Sequence, residues 1–152
     1  MSFKRVLVWL KPGFIGDAVL STPTLISTEA ATPSLTVWSA PHLVDLLANM
    51  PGKAEFVGVG KFKGVSAFWR QVKRMRSLQL DTAILVNRSI RSALVTRFAG
   101  VPVRVGHDTE RRGILLTKKV KYDLDQFEAQ SYLDLIRALN IPILTETPQL
   151  WL

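Results

Sequence analysis

The sequence contains no cysteine and only two histidines, His42 and His107, which lie far apart in the chain. The first absence excludes disulfide bonds and thiolate metal sites, and the second leaves no histidine pair at a spacing typical of a metal centre. Long apolar runs are also missing, because none approaches the roughly 18 residues that a membrane-spanning helix needs. With 47% apolar and 21% charged residues, the 152-residue chain predicts one folded domain, residues 1–152, without a metal ion or resident cofactor.

Acidic residues are nearly absent from the middle third of the chain. Residues 56–107 hold ten Lys and Arg side chains against the single acid Asp81, in a protein whose net charge is +8. The remaining residues hold ten basic and eleven acidic groups, so the whole positive excess lies in this segment. Such an asymmetry is typical of a protein that meets an anionic partner: a nucleic acid, a phosphorylated substrate or a membrane surface. The alternative is a solvated basic face without a specific partner.

Short runs rich in β-branched and aromatic residues alternate with longer helical patterns. Strands are predicted at Val6–Leu10, Leu35–Ser39, Glu55–Val59, Thr82–Val86, Val103–Gly106 and Lys118–Lys121. Helices are predicted around Asp17–Ala30, His42–Ala48, Val65–Leu78, Ser89–Ala99 and Gln126–Leu139, with Phe127 on the apolar stripe of the last. This alternation predicts the α/β class, as a Rossmann-like, doubly wound and mainly parallel sheet. The apolar tail from Ile143 has no element of its own and predicts a segment that packs on other protein.

The first predicted strand opens onto PGFIGD, a loop with two glycines and an acid. In doubly wound sheets such loops face the ligand, since they follow the carboxyl ends of the strands. Gly13 and Gly16 let the main chain approach a ligand closely, although the G-x-G-x-x-G dinucleotide fingerprint is not met. Asp17 has two interpretations: it caps the following helix, or it takes a proton from a sugar hydroxyl. The helix either begins near Asp17 and kinks, or begins at Pro23 with Thr22 as its cap.

Two further predicted helices carry many of the basic residues. In FWRQVKRMR, residues 68–76, the apolar positions face the core and the cations point outward, as on an ordinary surface helix or on one that contacts phosphates. In NRSIRS, after the fourth strand, Asn87 or Ser89 can cap the helix. Arg88 and Arg91 lie three residues apart, hence on one face. Because arginines at a helix start oppose the macrodipole, an anion-binding role is favoured there.

A polar loop, GHDTERRG, follows the fifth predicted strand. Arg111 and Arg112 stand there beside Asp108 and Glu110. The loop is either a surface turn that pairs its own charges or a loop that faces a substrate.

Taken in order, these motifs resemble the N-terminal domain of the ADP-heptose–lipopolysaccharide heptosyltransferases, glycosyltransferase family 9. The family's Gly-Asp loop and Thr-Pro helix are similar to IGDAVLSTP, and its Arg-Ser-Ala helix is similar to ILVNRSIRSALVTRFAG. Its Arg-x-Gly element with paired arginines is similar to RVGHDTERRGILLTKKV, and its closing helix is similar to SYLDLIRALNIP. The resemblance covers nearly the whole chain, with departures at Gly13, Phe14, Phe127 and Gln130 that allow a different glycan as acceptor.

The resemblance implies a GT-B enzyme, in which two Rossmann-like domains enclose the active site. This chain would be the acceptor-binding half, inactive alone, and the half that binds the ADP-sugar donor would be absent or a separate chain. Carried over to Asp17, the family's acid is the base that activates the acceptor hydroxyl for an inverting displacement of ADP. The implied acceptor is a phosphorylated lipid-A/Kdo-type glycan, met on an anionic membrane surface at the cytoplasmic face of the inner membrane. The residues expected to bind it are Gly13, Gly16, Lys61, Lys63, Arg70, Lys73, Arg74, Asn87, Arg88, Arg91, Arg111 and Arg112.

Two other classes of function are alternatives. A basic nucleic-acid-binding module would suit the charge, but the sequence has no recognised binding motif. The aromatic residues Phe56, Phe62, Phe68 and Trp69 are interpreted as core rather than as stacking platforms, so no nucleic-acid partner is expected. A nucleotide-binding Rossmann domain of an oxidoreductase would need the glycine fingerprint and an acid at the end of the second strand, and the sequence has neither.

Overall fold

The computed structural model describes residues 3–13, 15–60 and 63–151. Its strands are β1 (Val6–Trp9), β2 (Leu35–Ser39), β3 (Glu55–Gly58), β4 (Thr82–Leu85), β5 (Val103–His107) and β6 (Lys118–Val120). Its helices are α1 (Ile15–Leu20), α2 (Thr22–Ala31), α3 (Pro41–Leu47), α4 (Val65–Ser77), α5 (Ile90–Phe98) and α6 (Glu128–Arg137), with a 3₁₀ turn at Arg112–Leu115. The predicted order of elements is confirmed, and the ends of the strands differ from the prediction by at most one residue.

All six strands form one parallel sheet in the order β3-β2-β1-β4-β5-β6. The chain winds outward from β1 to β3, returns across the sheet to β4, and then winds outward on the other side. This is the doubly wound, Rossmann-like topology, and the order reverses between β1 and β4. The prediction of fold class is therefore confirmed.

Both faces of the sheet are covered by helices. Val6 and Val8 of β1 belong to a core cluster shared with α2, α3 and α6, whereas Leu7 and Trp9 belong to a second cluster shared with α4 and α5. The alternation follows from the two-residue period of a strand. It also explains why β1 reads as an unbroken apolar run, since a strand between two helical layers is buried on both sides.

The predicted first helix is two helices. α1 ends at Leu20 and α2 begins at Thr22, with Ser21 in the cap position between them. The prediction that Thr22 caps the second helix is wrong, because its hydroxyl donates back to the Val19 carbonyl oxygen at 2.7 Å. The residue that follows, Pro23, lies in the first turn of α2, where its missing amide is no loss.

Two predictions of buried aromatic residues are also wrong. Trp69 is 48% exposed, because α4 turns Val72 and Met75 toward the sheet and leaves the indole on its flank. Phe127 is 62% exposed, because α6 begins one residue later and Phe127 occupies its cap position. Phe62, another aromatic residue interpreted as core, lies outside the described residues.

The C-terminal tail packs against α2 of the same domain. The Leu144 amide donates to Ser27 Oγ at 3.0 Å, and the Gln149 amide donates to Thr22 Oγ1 at 2.8 Å. Both hydroxyls are buried, so the tail supplies the polar partners that a buried Ser or Thr requires. The tail does pack on protein, but on α2 of its own domain and not, as predicted, on other protein.

Candidate functional site

The sheet opens into a cleft where the strand order reverses. The carbonyl oxygen of Trp9, at the end of β1, accepts hydrogen bonds from the amides of Val86 at 2.9 Å and Asn87 at 3.2 Å. On the other side, the Leu10 amide donates to the Trp38 carbonyl oxygen at 2.8 Å. Beyond these bonds the loops after β1 and β4 separate. Doubly wound proteins bind their ligands at this point.

The cleft has a volume of about 370 Å³. Its walls come from the loops that follow β1, β2, β3 and β4 and from the start of α5. Its polar lining consists of Lys11, Ser39, Gln71, Asn87, Arg88, Ser89, Arg91, Ser92 and Glu110. Three of the residues predicted to bind the acceptor, Asn87, Arg88 and Arg91, therefore lie together at the edge predicted for the site.

Asp17 stands in the first turn of α1, beside this cleft. Its side chain is 19% exposed, and Oδ2 lies 4.0 Å from Nζ of Lys11, which lines the cleft. Across residues 3–13, 15–60 and 63–151, the Asp17 carboxylate accepts no hydrogen bond from a main-chain amide of α1. The geometry of the described part of the chain therefore supplies an ion pair for this carboxylate and no capping bond.

The loop that carries Gly13 is held against the neighbouring helix. His42 Nε2 lies 2.9 Å from the Gly13 carbonyl oxygen, and this contact ties the loop to α3. Gly13 has a φ of 144°, a conformation open to glycine, and a Cβ added there would lie 3.7 Å from Asp17 Oδ2. Gly16 is exposed on α1, and a Cβ added there would meet no atom within 4 Å. The two glycines thus leave the approach to Asp17 uncovered.

Arg88 belongs to a half-buried network centred on Glu128. Its Nη1 lies 3.4 Å from Glu128 Oε1, and its guanidinium carbon lies 4.2 Å from the centre of the Tyr122 ring. The hydroxyl of Tyr122 donates to Glu128 Oε1, and the hydroxyl of Tyr132 donates to Oε2 at 3.0 Å. Glu128 and Tyr132 belong to α6, whereas Arg88 stands in the loop after β4 and Tyr122 in the loop after β6, so the network ties α6 to both loops.

Electrostatics link Asp17 and Lys11 to the same network. Burial raises the pKa of Glu128, but the hydrogen bonds from Tyr122 and Tyr132 and the charges of Arg88 and Lys11 outweigh it and hold the pKa below its ordinary value. Burial, together with the carboxylates of Glu128 and Asp17, raises the pKa of Tyr132. The carboxyl edge of the sheet therefore carries two carboxylates and two cations that act on one another.

The start of α5 carries hydrogen-bond donors for which the described residues supply no acceptor. Ser89 caps the helix by accepting the Ser92 amide at 3.2 Å, which confirms one of the two predicted caps. The other predicted residue, Asn87, instead accepts the hydroxyl of Ser92. Nε and Nη2 of Arg91 and Oε1 of Gln71, a residue that is 7% exposed, are buried, and none of them has a hydrogen-bond partner among the described residues. Since buried polar groups usually have partners, these atoms are available to a molecule in the cleft.

The second polar loop places its two arginines differently. Arg112 is fully buried and donates to the carbonyl oxygens of His107 at 2.9 Å and Ser89 at 3.0 Å. Burial lowers the pKa of Arg112 to about 10. Arg111 is exposed, with a φ of 57°. Arg112 therefore belongs neither to a surface turn that pairs its own charges nor to a surface that faces a substrate. Its buried guanidinium joins this loop to the start of α5.

The basic residues of α4 divide between two sides of the helix. Arg70 and Arg74 line a second cleft of about 250 Å³ that shares Val59 and Gln71 with the first. Arg74 also lies over the Trp38 ring, with 5.8 Å between its guanidinium carbon and the ring centre. The remaining candidates are Lys73, exposed on the opposite flank, Lys63, exposed before the helix, and Lys61, which lies outside the described residues.

Sequence reasoning missed Lys11, Gln71 and Glu128 as parts of the site. Lys11 had a visible signal, since it follows β1 within two residues and so stands at the carboxyl edge. Gln71 had only a weak one, a polar residue on the apolar stripe of α4. Glu128 had only its i, i+4 spacing to Tyr132, because Arg88 and Tyr122 approach it only in the folded chain.

Two negative observations complete the description. Among the residues with described placement, no three His, Asp or Glu side chains are grouped as metal ligands would be. In the same part of the chain, no helix has the length and apolar character required to span a bilayer.

The sequence profile of glycosyltransferase family 9 (heptosyltransferase) matches residues 68–150, which is more than half of the chain. The chain belongs to this family. No match to a curated protein was found.

Solved structures of family 9 proteins share the fold. A glycosyl transferase family 9 protein from Veillonella parvula DSM 2008 superposes with a TM-score of 0.77 at 20% identity, over 97% of this chain and 43% of that one. The E. coli ADP-heptose lps heptosyltransferase II superposes with a TM-score of 0.75 at 26% identity, over 97% of this chain and 46% of that one. An E. coli heptosyltransferase with ADP-2-deoxy-2-fluoro heptose superposes with a TM-score of 0.67 at 16% identity, over 91% and 49%. The family 9 chain described here thus spans about half the length of these relatives.

Proposed function

We propose that this chain is the acceptor-binding half of an inverting glycosyltransferase. In this proposal the enzyme transfers heptose, or a related sugar, from an ADP-sugar to the phosphorylated inner core of lipopolysaccharide at the cytoplasmic face of the inner membrane. Family 9 membership supports the reaction class, and the similarity to an ADP-heptose lps heptosyltransferase supports the donor and the acceptor. The observation that carries the proposal is the Asp17 carboxylate, held by Lys11 beside the cleft that Arg88 and Arg91 also line.

The chemistry assigns one step to this half. Asp17 takes the proton of an acceptor hydroxyl, and the oxygen then attacks the anomeric carbon of the donor while the bond to ADP breaks and ADP leaves with the electron pair. Lys11 orients the carboxylate through its ion pair. Arg88 and Arg91 bind acceptor phosphate, for which the unused Nε and Nη2 of Arg91 are the available donors. The ADP-sugar is held by a second domain in this proposal, so the chain alone binds acceptor without turnover.

The decisive experiment replaces Asp17. The chain is combined with the nucleotide-sugar-binding half of a family 9 enzyme, and ADP release is measured with ADP-heptose and a Kdo–lipid A-type acceptor. We expect Asp17→Asn to lower kcat by about 10²- to 10⁴-fold, as the loss of a general base does, with the melting temperature nearly unchanged. The control, Asp45→Asn, removes an exposed carboxylate on α3 and should leave kcat unchanged.

The opposite outcome would identify Asp17 as a structural residue. If Asp17→Asn keeps its turnover and loses about 1 kcal/mol of unfolding free energy, the carboxylate acts on its own helix and the proposed base is wrong. A binding measurement tests the arginines separately. Arg91→Gln should weaken binding of a deacylated, phosphorylated acceptor and not of its dephosphorylated form, whereas Arg97→Gln, exposed on the same helix, should change neither.

A further inference from the structure

Exposed apolar side chains cluster on the outer faces of α4 and α5. The exposed fractions are 74% for Val65, 48% for Trp69, 42% for Ile90 and 48% for Phe98. The Trp69 and Phe98 rings lie 5.4 Å apart between centres, and both pack edge-on against Phe68, at 5.2 and 6.0 Å. Single exposed apolar residues are normal, but a cluster of this kind marks an interaction surface.

Cations share the faces that carry these apolar residues. On α4, Val65, Trp69 and Lys73 recur at intervals of four residues and therefore lie on one side of the helix. On α5, Arg97 is exposed beside Phe98. We define the aromatic–basic patch as Val65, Trp69, Ile90 and Phe98 together with Lys73 and Arg97.

Neither helix contains an acid. The two sequences, VSAFWRQVKRMRS and IRSALVTRF, hold six Lys and Arg residues and no Asp or Glu. One of the six, Arg76, donates Nη2 to the Phe98 carbonyl oxygen at 2.8 Å and so joins the two helices. The patch therefore presents apolar groups within a surface of one charge sign.

We infer that the aromatic–basic patch docks the protein on an anionic lipid membrane. Trp and Phe side chains favour the boundary between headgroups and acyl chains, and neighbouring Lys and Arg residues are attracted to anionic headgroups. Charge complementarity thus selects an anionic partner, and the exposed Val65 and Ile90 select one with an apolar interior. Nucleic acid has the first property but not the second.

The patch adjoins the candidate site. A shallow groove between the helices is lined by Val65, Phe68, Ile90 and Arg91, among others, and Arg91 also lines the cleft. A lipid-linked acceptor could therefore keep its acyl chains in the bilayer while a phosphate reaches Arg91. This inference deepens the proposed function, on which its choice of a lipid-linked acceptor rests, by naming the surface that meets the membrane.

Vesicle binding by the whole chain tests the inference. The probes are vesicles of phosphatidylethanolamine and phosphatidylglycerol, compared with vesicles of phosphatidylcholine alone, and the readout is the partition coefficient from co-sedimentation. We expect binding to the anionic vesicles that weakens with salt, and a loss of about tenfold or more for Trp69→Ser/Phe98→Ser. Lys73→Gln/Arg97→Gln should also weaken binding and reduce the salt dependence, since each cation near the surface contributes.

The matched control removes apolar surface elsewhere. Ile114→Ser/Leu124→Ser alters side chains that are 91% and 85% exposed and should leave partitioning unchanged. Val65→Ser is a second patch variant that disturbs no ring contact, so weakened binding by this variant supports the inference even if the double variant unfolds. Quenching of Trp69 fluorescence by brominated lipid, absent in Trp69→Phe, would place the indole in the bilayer.

Three outcomes would overturn the inference. The protein does not bind anionic vesicles, or the control variant loses as much vesicle binding as the patch variant. In the third, the patch mediates a dimer, and Trp69→Ser/Phe98→Ser converts that dimer to a monomer. The proposed function is tested separately, by measuring sugar transfer to a deacylated acceptor, which requires no membrane. If transfer fails while vesicle binding persists, the function alone is wrong. If vesicle binding fails while transfer to the soluble acceptor persists, the docking surface alone is wrong.

Discussion

The two ends of the parallel sheet treat their polar groups in opposite ways. At the amino end, the Asp81 carboxylate accepts hydrogen bonds from the amides of Lys4 and Arg5, both at 2.8 Å, and so joins the start of β1 to the start of β4. At the carboxyl end, Nε and Nη2 of Arg91 and Oε1 of Gln71 are buried, and residues 3–13, 15–60 and 63–151 supply no hydrogen-bond partner for them. The contact that joins β1 to β4 at the amino end is therefore paired, whereas these groups at the cleft have no hydrogen-bond partner among the described residues.

Under the proposed function, this difference marks where the fold gives up stability for binding. A buried polar group without a partner costs about 1–3 kcal/mol, and a sequence shaped by stability alone would replace it with an apolar side chain. Those groups occur at the candidate cleft, where the strand order reverses. The amino end has no such groups among the described residues that join β1 to β4.

Breaking the amino end should have the largest effect on stability. Asp81→Ala removes the acceptor for two main-chain amides and for the Thr82 hydroxyl, which lies 2.9 Å from Oδ1. We expect the free energy of unfolding to fall by about 2 kcal/mol, measured by urea denaturation, with acceptor binding unchanged. Asp45→Ala, on an exposed stretch of α3, is the control and should stay within about 0.5 kcal/mol of wild type. Weakened acceptor binding in folded Asp81→Ala would contradict the separation of the two ends.

Removing a buried polar group at the carboxyl end should have the opposite sign. Gln71→Met keeps the side-chain volume and removes the unpartnered Oε1, so we expect unfolding free energy to rise by about 1 kcal/mol. The same change should weaken acceptor binding by about tenfold, the loss of one hydrogen bond in the cleft. Gln126→Met, outside the cleft, should do neither. A destabilised Gln71→Met protein that binds acceptor normally would show that the amide serves the fold.

Acidification should reveal a smaller effect, carried by Glu128. Its folded-state pKa lies below the ordinary value of 4.5, so the unfolded chain takes up the proton first. The stability from this carboxylate is therefore fully present above about pH 4.5 and is lost as the pH falls through the folded-state pKa. Urea titrations at descending pH should show a shallower loss for Glu128→Gln than for wild type. Glu55→Gln, exposed on β3, should keep the wild-type slope, and an identical slope for Glu128→Gln would contradict the network.

The sheet could be predicted almost completely from the sequence, because a strand that is buried on both faces consists of a short run of mainly apolar residues. Val6–Trp9 and Thr82–Leu85 are such runs, and the loops that follow them mark the cleft without any knowledge of side-chain contacts. Arg88 and Arg91 could be placed in the site by the same reasoning, since their position after β4 follows from topology.

Other features depend on distances that no local pattern contains. Arg111 and Arg112 are identical neighbours in the sequence, yet only Arg112 points inward, where two carbonyl oxygens receive its guanidinium. A Cβ at Gly106 would lie 2.8 Å from Arg112 Nη2, so the glycine of a neighbouring strand makes the room. The prediction that Trp69 is buried is wrong for a related reason. Helical spacing alone does not predict which flank of α4 remains exposed once α5 packs beside it.

The paired amides on the Trp9 carbonyl oxygen have a consequence for how such proteins diversify. These hydrogen bonds at the floor of the cleft join main-chain atoms only. They therefore do not require particular side chains at the positions that line the cleft. Solved structures with 16–26% identity to this chain can therefore share its fold although most of their side chains differ. In a library of variants at Lys11, Gln71 and Arg91, we therefore expect these main-chain hydrogen bonds to be retained while the chemistry of the cleft lining changes.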